Sequence, residues 1–338
     1  MYFLGVDIGG TKTAAVIADE TGQVLGFKLG KGSNYQGCGI EESYQRANQT
    51  IESACKEIGI EKKDIHNAFL GIAGVDLDYD IQIIKGILKR IDLPHYDFEN
   101  DGLIALRSGT DDGNGILITC GTGSISFGNN GERVIRKGGF STFFGEQLGA
   151  RHFARLSASA IMRSKDGRGP KTLMDNILEK RYHITIEEMM KAYIPDVTYS
   201  GPDPVVTLIN VVYQAAKQND YLATKILLEI SQEVINICQS FRADMPFKPS
   251  ISLVLEGTVF KKADSILFDM IRSGLGEEYE IIIPKHDPVT GAVLFALENV
   301  GIKVTCFIRE KLFDTYEYKK MKLSNKNNKN EHGPHSTF

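Results

Sequence analysis

The stretch that most constrains this chain is its first, Met1-Tyr-Phe-Leu-Gly-Val-Asp-Ile-Gly-Gly-Thr-Lys-Thr-Ala-Ala-Val-Ile-Ala18. One apolar run enters it and another leaves it, with Asp7, two adjacent glycines, two threonines and a lysine between them. Apolar runs of this length flanking glycines predict the two strands of a hairpin. Glycine lacks a Cβ, so the backbone N–H groups of Gly9 and Gly10 can come close to an anion. Thr11 and Thr13 add hydroxyl donors, and Lys12 a point charge. Asp7, at the strand end, is placed to hold a hydrated cation near phosphates. The stretch reads as a phosphate-binding hairpin, with a plain glycine turn as the alternative.

The same logic returns later. Residues 116–120 predict a strand, Gly121-Thr-Gly-Ser124 a turn and residues 125–127 a return strand. A pair of strand–Gly–Thr–strand units suggests two related domains gripping one polyphosphate from both sides. The length, 338 residues, suits two domains. The polar run Ser108-Gly-Thr-Asp-Asp-Gly-Asn-Gly115 is a natural crossing point between them. A third glycine turn, Glu256-Gly-Thr-Val259, follows a predicted buried strand at 251–255. Helices are expected at 40–58, 81–91 and 149–164, through most of 171–242, and at 288–300. The stripe Ala223, Ile226, Ile230, Val234, Ile237 and Phe241 has helical spacing and reads as core.

Composition excludes several classes. The net charge of −4 argues against a nucleic-acid partner. No apolar run is long enough to cross a bilayer, and Asp7 interrupts any signal-peptide pattern. The five cysteines, Cys38, Cys55, Cys120, Cys238 and Cys306, are scattered without a C-x-x-C pair. That fits free thiols in a reducing cytoplasm. Residues 307–318 allow a short amphipathic helix, and the Lys- and Asn-rich segment 319–338 is expected to be disordered.

Three polar residues stand at junctions. Asp101 follows a short predicted strand and opens a helix, where it is either an N-cap or a general base at a strand end. Asn34, in a glycine-rich loop, either closes a turn or meets a sugar hydroxyl. Glu146 lies near a helix start, as a dipole-favoured surface charge or as an acceptor for a substrate hydroxyl.

Taken together, Gly5-Val-Asp-Ile-Gly-Gly-Thr-Lys-Thr13, Gly71-Ile-Ala-Gly74, Asn100-Asp101, Gly121-Thr-Gly-Ser124, Gly138-Gly139 with Gly145, Asp166-Gly-Arg-Gly-Pro170, Glu256-Gly-Thr-Val259 and Gly291-Ala292 occur in the order of a known family. The chain resembles the N-acetylglucosamine kinase branch of the sugar kinase, actin and heat-shock ATPase superfamily, grouped with BadF/BadG/BcrA/BcrD-type ATPases. The resemblance implies an α/β protein of two ribonuclease-H-like, actin-like ATPase domains, with ATP and sugar in the cleft between them. The N-terminal domain would span 1–112 and be completed by the helix at about 288–302. The C-terminal domain would span 113–287 and carry a helical insertion, with 303–338 as a tail.

The resemblance assigns Gly9, Gly10, Thr11, Lys12, Thr13, Gly121, Thr122 and Gly123 to phosphates, Gly257 and Thr258 to the nucleoside, and Asp7 to Mg²⁺. It assigns Asp101 as the base for the sugar 6-hydroxyl. Asn34, Asp101, Ser124, Ile125, Gly139 and Glu146 would line the sugar pocket. A cytoplasmic homodimer acting on a small sugar, without nucleic acid or membrane, is implied. Departures gather at the sugar loop. The family usually has Gly-Asp-Glu-Gly-Ser where this chain has Gly145-Glu-Gln-Leu-Gly149. It often has Gly-Gly-Trp-Gly where this chain has Gly138-Gly-Phe-Ser141, and a polar residue at Ile125. N-acetylglucosamine, N-acetylmuramic acid and glucosamine stay open as substrates. A second reading is a partner-activating ATPase of the kind that holds an iron–sulfur cluster by cysteines near the second phosphate loop, where Cys120 lies.

Overall fold

The computed structural model describes residues 1–140 and 142–331. Ser141, part of the sugar loop, and residues 332–338, the end of the tail, lie outside the described residues. The chain divides into two compact units, Met1–Gly113 with Pro284–Phe338, and Asn114–Ile283.

The first unit begins with β1 (Tyr2–Ile8), β2 (Lys12–Ala18) and β3 (Val24–Lys31). There follow α1 (Tyr35–Cys38), α2 (Ile40–Glu57), β4 (Ile65–Ile72), α3 (Asp78–Ile91), β5 (Tyr96–Asn100) and α4 (Asp101–Gly109). The strand order is β3-β2-β1-β4-β5. The first three strands run antiparallel, while β4 and β5 run parallel to β1.

Side chains alternate across a strand, and each face has its own cover. Leu4, Val6, Ile8, Ala15 and Ile17 pack with Ala47 and Ile51 of α2 and Ile84 and Leu88 of α3. Phe3, Ala14, Val16 and Phe69 face the other way. That second face is covered by α12 (Val289–Glu298) and α13 (Cys306–Glu331), which return to this unit after the second is complete. The approach of α12 is close. A Cβ at Gly5 would lie 2.6 Å from the Val293 backbone nitrogen, and one at Gly291 would lie 2.0 Å from the Ile104 carbonyl oxygen.

The second unit contains β6 (Gly115–Cys120), β7 (Ser124–Asn129), β8 (Val134–Gly138), α5 (Ala150–Lys165), α6 (Met174–Tyr182), α7 (Ile186–Met189), α8 (Pro204–Ala216) and α9 (Tyr221–Asp244). It is completed by β9 (Ile251–Glu256), α10 (Thr258–Lys262), α11 (Ser265–Leu275) and β10 (Tyr279–Ile282). Its sheet is ordered β10-β9-β6-β7-β8. Again the first three strands in sequence are antiparallel and the last two parallel. The two sheets therefore repeat one topology, as the paired glycine hairpins suggested, and it is the ribonuclease-H-like pattern that the family resemblance implied.

One expectation is corrected. The tail is not disordered over its described length, because Cys306–Glu331 forms a single helix. Leu312 and Tyr316, one turn apart, are buried at 0% and 1% exposure. Two of the lysines that made the segment look solvated are paired instead. Lys319 bonds Glu57 and the Leu25 carbonyl, and Lys320 bonds Asp287.

Candidate active site

In the first unit the predicted site residues meet at the ends of β1, β3, β4 and β5, where the chain turns from strand to loop. Open α/β sheets bind ligands at such ends. The hairpin after β1 is closed by Gly9, whose N–H donates to the Lys12 carbonyl at 3.0 Å. The Gly9 amide is thus engaged within the turn. Gly10, Thr11 and Lys12 form the exposed part. Thr13 is turned inward. Strand alternation puts it on the α2 side with Ala15 and Ile17, fully buried, with its hydroxyl bonded to Ser33. In that position it braces the hairpin against Ser33.

Asp7 falls on the opposite face, with Phe3 and Gly5, and is 9% exposed. Lys12 is on this face too, with Ala14 and Val16. Its Nζ stands 3.9 Å from Asp287 Oδ1, just before α12.

Asn34 abuts the hairpin through its backbone N–H, which donates to the Gly9 carbonyl at 3.2 Å. Its side chain accepts from Gln36 N at 2.9 Å and caps α1. From α1, Tyr35 and Gln36 reach the Asp80 carboxylate, which also accepts from the backbone N–H groups of Asp76 and Leu77. Asp76 in turn accepts from Asn100 Nδ2 at 3.0 Å. A chain of polar contacts thus runs from Asn34 to the start of α4.

There the structure separates two roles. Asn100 is the N-cap, its side chain accepting from Gly102 N at 2.9 Å. Asp101, expected as a possible cap, is the first helical residue instead. Burial, and next the Asp76 carboxylate, push its carboxyl up to about 6, against the backbone N–H groups of Gly102 and Asp101. A carboxylate so placed is tuned to accept a proton near neutral pH. Asp76 and Asp80, more than twenty residues before Asp101, carried no signal in the sequence.

In the second unit the remaining predicted residues converge on the Gly121–Gly123 turn. The helix α5 begins against it, with Ala150 N donating to the Gly121 carbonyl at 2.7 Å. Gly257 sits at φ +105°, and a Cβ there would lie 2.4 Å from the Cys120 carbonyl oxygen. Thr258 follows as the first residue of α10. Ser124 N donates to Glu146 Oε2 at 3.3 Å. Ile125 pairs with Gly138 across β7 and β8, and Gly139 lies against its side chain.

Ser124, Glu146, Phe140 and Phe144 line a cavity of about 400 Å³, a size suited to a small ligand. Its far wall is Glu233, Asn236 and Ile237 of α9. That helix was read as core alone. Ile237 does belong to the apolar stripe, but the polar side chains beside it reach the cavity, and nothing in their spacing announces this.

The sequence matches the BadF/BadG/BcrA/BcrD ATPase family over residues 4–296. The chain belongs to this family. Its similarity to an N-acetyl-D-glucosamine kinase of Dictyostelium discoideum is 28% identity over 313 residues, covering 88% of this chain and 98% of the relative. An N-acetylmuramic acid/N-acetylglucosamine kinase of Clostridium acetobutylicum is 27% identical over 302 residues, covering 87% and 98%. Among solved structures, a candidate N-acetylglucosamine kinase of Chromobacterium violaceum superposes with a TM-score of 0.67 at 21% identity, covering 87% of this chain and 98% of its own.

For a BadF/BadG/BcrA/BcrD ATPase, Cys120 is the position on which the partner-activating reading depends. It is buried at 0% exposure and accepts from Gly149 N at 3.0 Å. Burial pushes its thiol up to about 12. A thiol this inaccessible is a packing residue rather than an accessible ligand. Among the described residues no helix is long and apolar enough to cross a membrane.

Proposed function

We propose that the protein is an ATP-dependent kinase that phosphorylates the 6-hydroxyl of an amino sugar, N-acetylglucosamine or a close relative such as N-acetylmuramic acid or glucosamine. The named activities of the two relatives support the substrate class. The observation that carries the chemistry is Asp101, released from capping by Asn100 and raised to about 6 by burial and Asp76.

In this reading the Asp101 carboxylate takes the proton of the 6-hydroxyl. The sugar oxygen forms a bond to the γ-phosphorus while the bond to the β–γ bridging oxygen breaks, and ADP leaves. Such transfer is mostly positioning and charge neutralisation. Gly10, Thr11, Lys12, Gly121, Thr122 and Gly123 take the phosphates, and Gly257 and Thr258 the nucleoside. Asn34, Ser124, Ile125, Gly139 and Glu146 take the sugar.

Mg²⁺ supplies charge neutralisation when bound. Asp7 fits that role, because the ion commonly takes one or two carboxylates and fills its other positions with water and phosphate. Its carboxylate stands at the end of β1, on the same face as Lys12.

ADP release with Mg-ATP against a panel of amino sugars tests the reading, beside Asp101→Asn. Sugar-dependent turnover is expected, falling about 10²- to 10⁴-fold in the variant. Because the base must be ionised, kcat/KM is expected to drop as pH falls through about 6. ATP hydrolysis indifferent to every sugar and to Asp101 overturns the kinase reading.

A further inference from the structure

Lys12 belongs to the hairpin assigned to phosphates, and what holds it lies at the far end of the chain. Period-two alternation along β2 sends Lys12, Ala14 and Val16 to the face covered by α12 and α13. Asp287, at the entry to α12, stands there with Oδ1 3.9 Å from Lys12 Nζ. The same carboxylate is gripped more tightly from α13. Tyr316 Oη donates to Asp287 Oδ2 at 2.6 Å, and Lys320 Nζ lies 2.7 Å from the same oxygen.

This grip is built into the core. Tyr316 is 1% exposed, and its ring meets Phe27 of β3 edge to face at 5.2 Å. The backbone of Asp287 is held as well, its carbonyl accepting from Thr290 Oγ1 at 2.8 Å. Burial disfavours the ionised form of Asp287, but Lys320 and Tyr316, and then Lys12, outweigh it and hold the carboxyl below its usual range. Asp287 is therefore a fixed negative charge. Lys12, half exposed, is the one loosely held member of the group.

We propose that Asp287 is a positioning residue for Lys12, and that α13, through Tyr316 and Lys320, forms part of the ATP-binding apparatus. A lysine ammonium on a four-carbon stem has many rotamers, and ordering it opposes binding. A fixed carboxylate on one side narrows that set before the nucleotide arrives. Because Lys320 and Tyr316 already satisfy Asp287 at closer range, Lys12 keeps its charge available for a phosphate.

The proposal rests on the assignment of Lys12 to phosphate, not on the identity of the sugar. The test uses the full chain and calorimetric titration with Mg-ATP in the absence of sugar. The variants are Asp287→Asn, Lys12→Met and the two combined, a double-mutant cycle. Asp287→Asn is expected to weaken ATP binding about tenfold alone and less than about twofold in the Lys12→Met background. In turnover, KM for ATP is expected to rise while KM for the sugar stays put. Asp287→Glu is expected to recover part of the loss.

Should Asp287→Asn unfold the chain, Tyr316→Phe removes one donor while keeping the ring. It is expected to weaken ATP binding by a smaller factor that also vanishes beside Lys12→Met. An Asp287→Asn effect equal in both backgrounds overturns the proposal, as does unchanged or tighter ATP binding in the single variant. If no sugar is turned over yet the coupling is found, the kinase reading fails and this one stands.

Discussion

Gly10 and Gly121 have no conformational reason to be glycine. Neither lies in the left-handed region, and a Cβ at either would meet nothing within 4 Å. Gly257 differs, with φ +105° and the Cys120 carbonyl in the way. Gly10→Ala and Gly121→Ala are therefore expected to change stability by less than about 1 kcal/mol, while weakening ATP binding by blocking the anion's approach. Gly257→Ala is expected to lose about 2 kcal/mol or more. Urea midpoints beside ATP titrations check this, and an ATP affinity for Gly10→Ala equal to wild type refutes it.

At this scale the sequence showed where the groups lie but not what each side chain does. The inward turn of Thr13 was available from period-two alternation with Ala15 and Ile17. The division of labour between Asn100 and Asp101 was not, because both residue types cap helices well. Nor were Asp76 and Asp80, which reach the site only once β4 and β5 pair.

The elements that set the site are α4 and α12. Arg107 of α4 is fully buried and holds both carboxylate oxygens of Glu298 of α12, at 2.7 and 3.1 Å, while a third nitrogen donates to the Thr110 carbonyl. Removing one partner strands the other, so Arg107→Ala is expected to cost about 3–5 kcal/mol, partly from lost packing. A paired replacement, Arg107→Met with Glu298→Leu, is expected to recover much of it. Chemical denaturation of the three variants decides, and equal losses in the single and double variants count against the pair's role.

Glycine turns, caps and periodic helices made most elements legible in the sequence. The exception was the second half of α13, from Lys319 onward, where composition misled. Lysine stems cover apolar surface while their charges find partners, and a count of charged residues is blind to that arrangement.

Across the whole molecule, two sheets of one topology were foreshadowed by two glycine hairpins. The asymmetry between the units was less visible. Unit Asn114–Ile283 is one continuous segment with its own core, whereas the first unit needs both ends of the chain. Residues 114–283 expressed alone are expected to melt cooperatively, and residues 1–113 alone are expected not to. Circular dichroism on heating distinguishes these outcomes, and a cooperative transition in the short fragment contradicts the assignment of α12 as essential cover.

The same asymmetry inverts the order of assembly on the ribosome. The sheet made first waits for residues from Val289 onward to cover Phe3 and Phe69, while the later unit is already complete at Ile283. At about 5–20 residues per second, that apolar face stays bare for roughly ten seconds or longer. During that interval it is a target for chaperones and proteases, so nascent chains stalled before α12 should be cleaved within the first sheet and spared in the second.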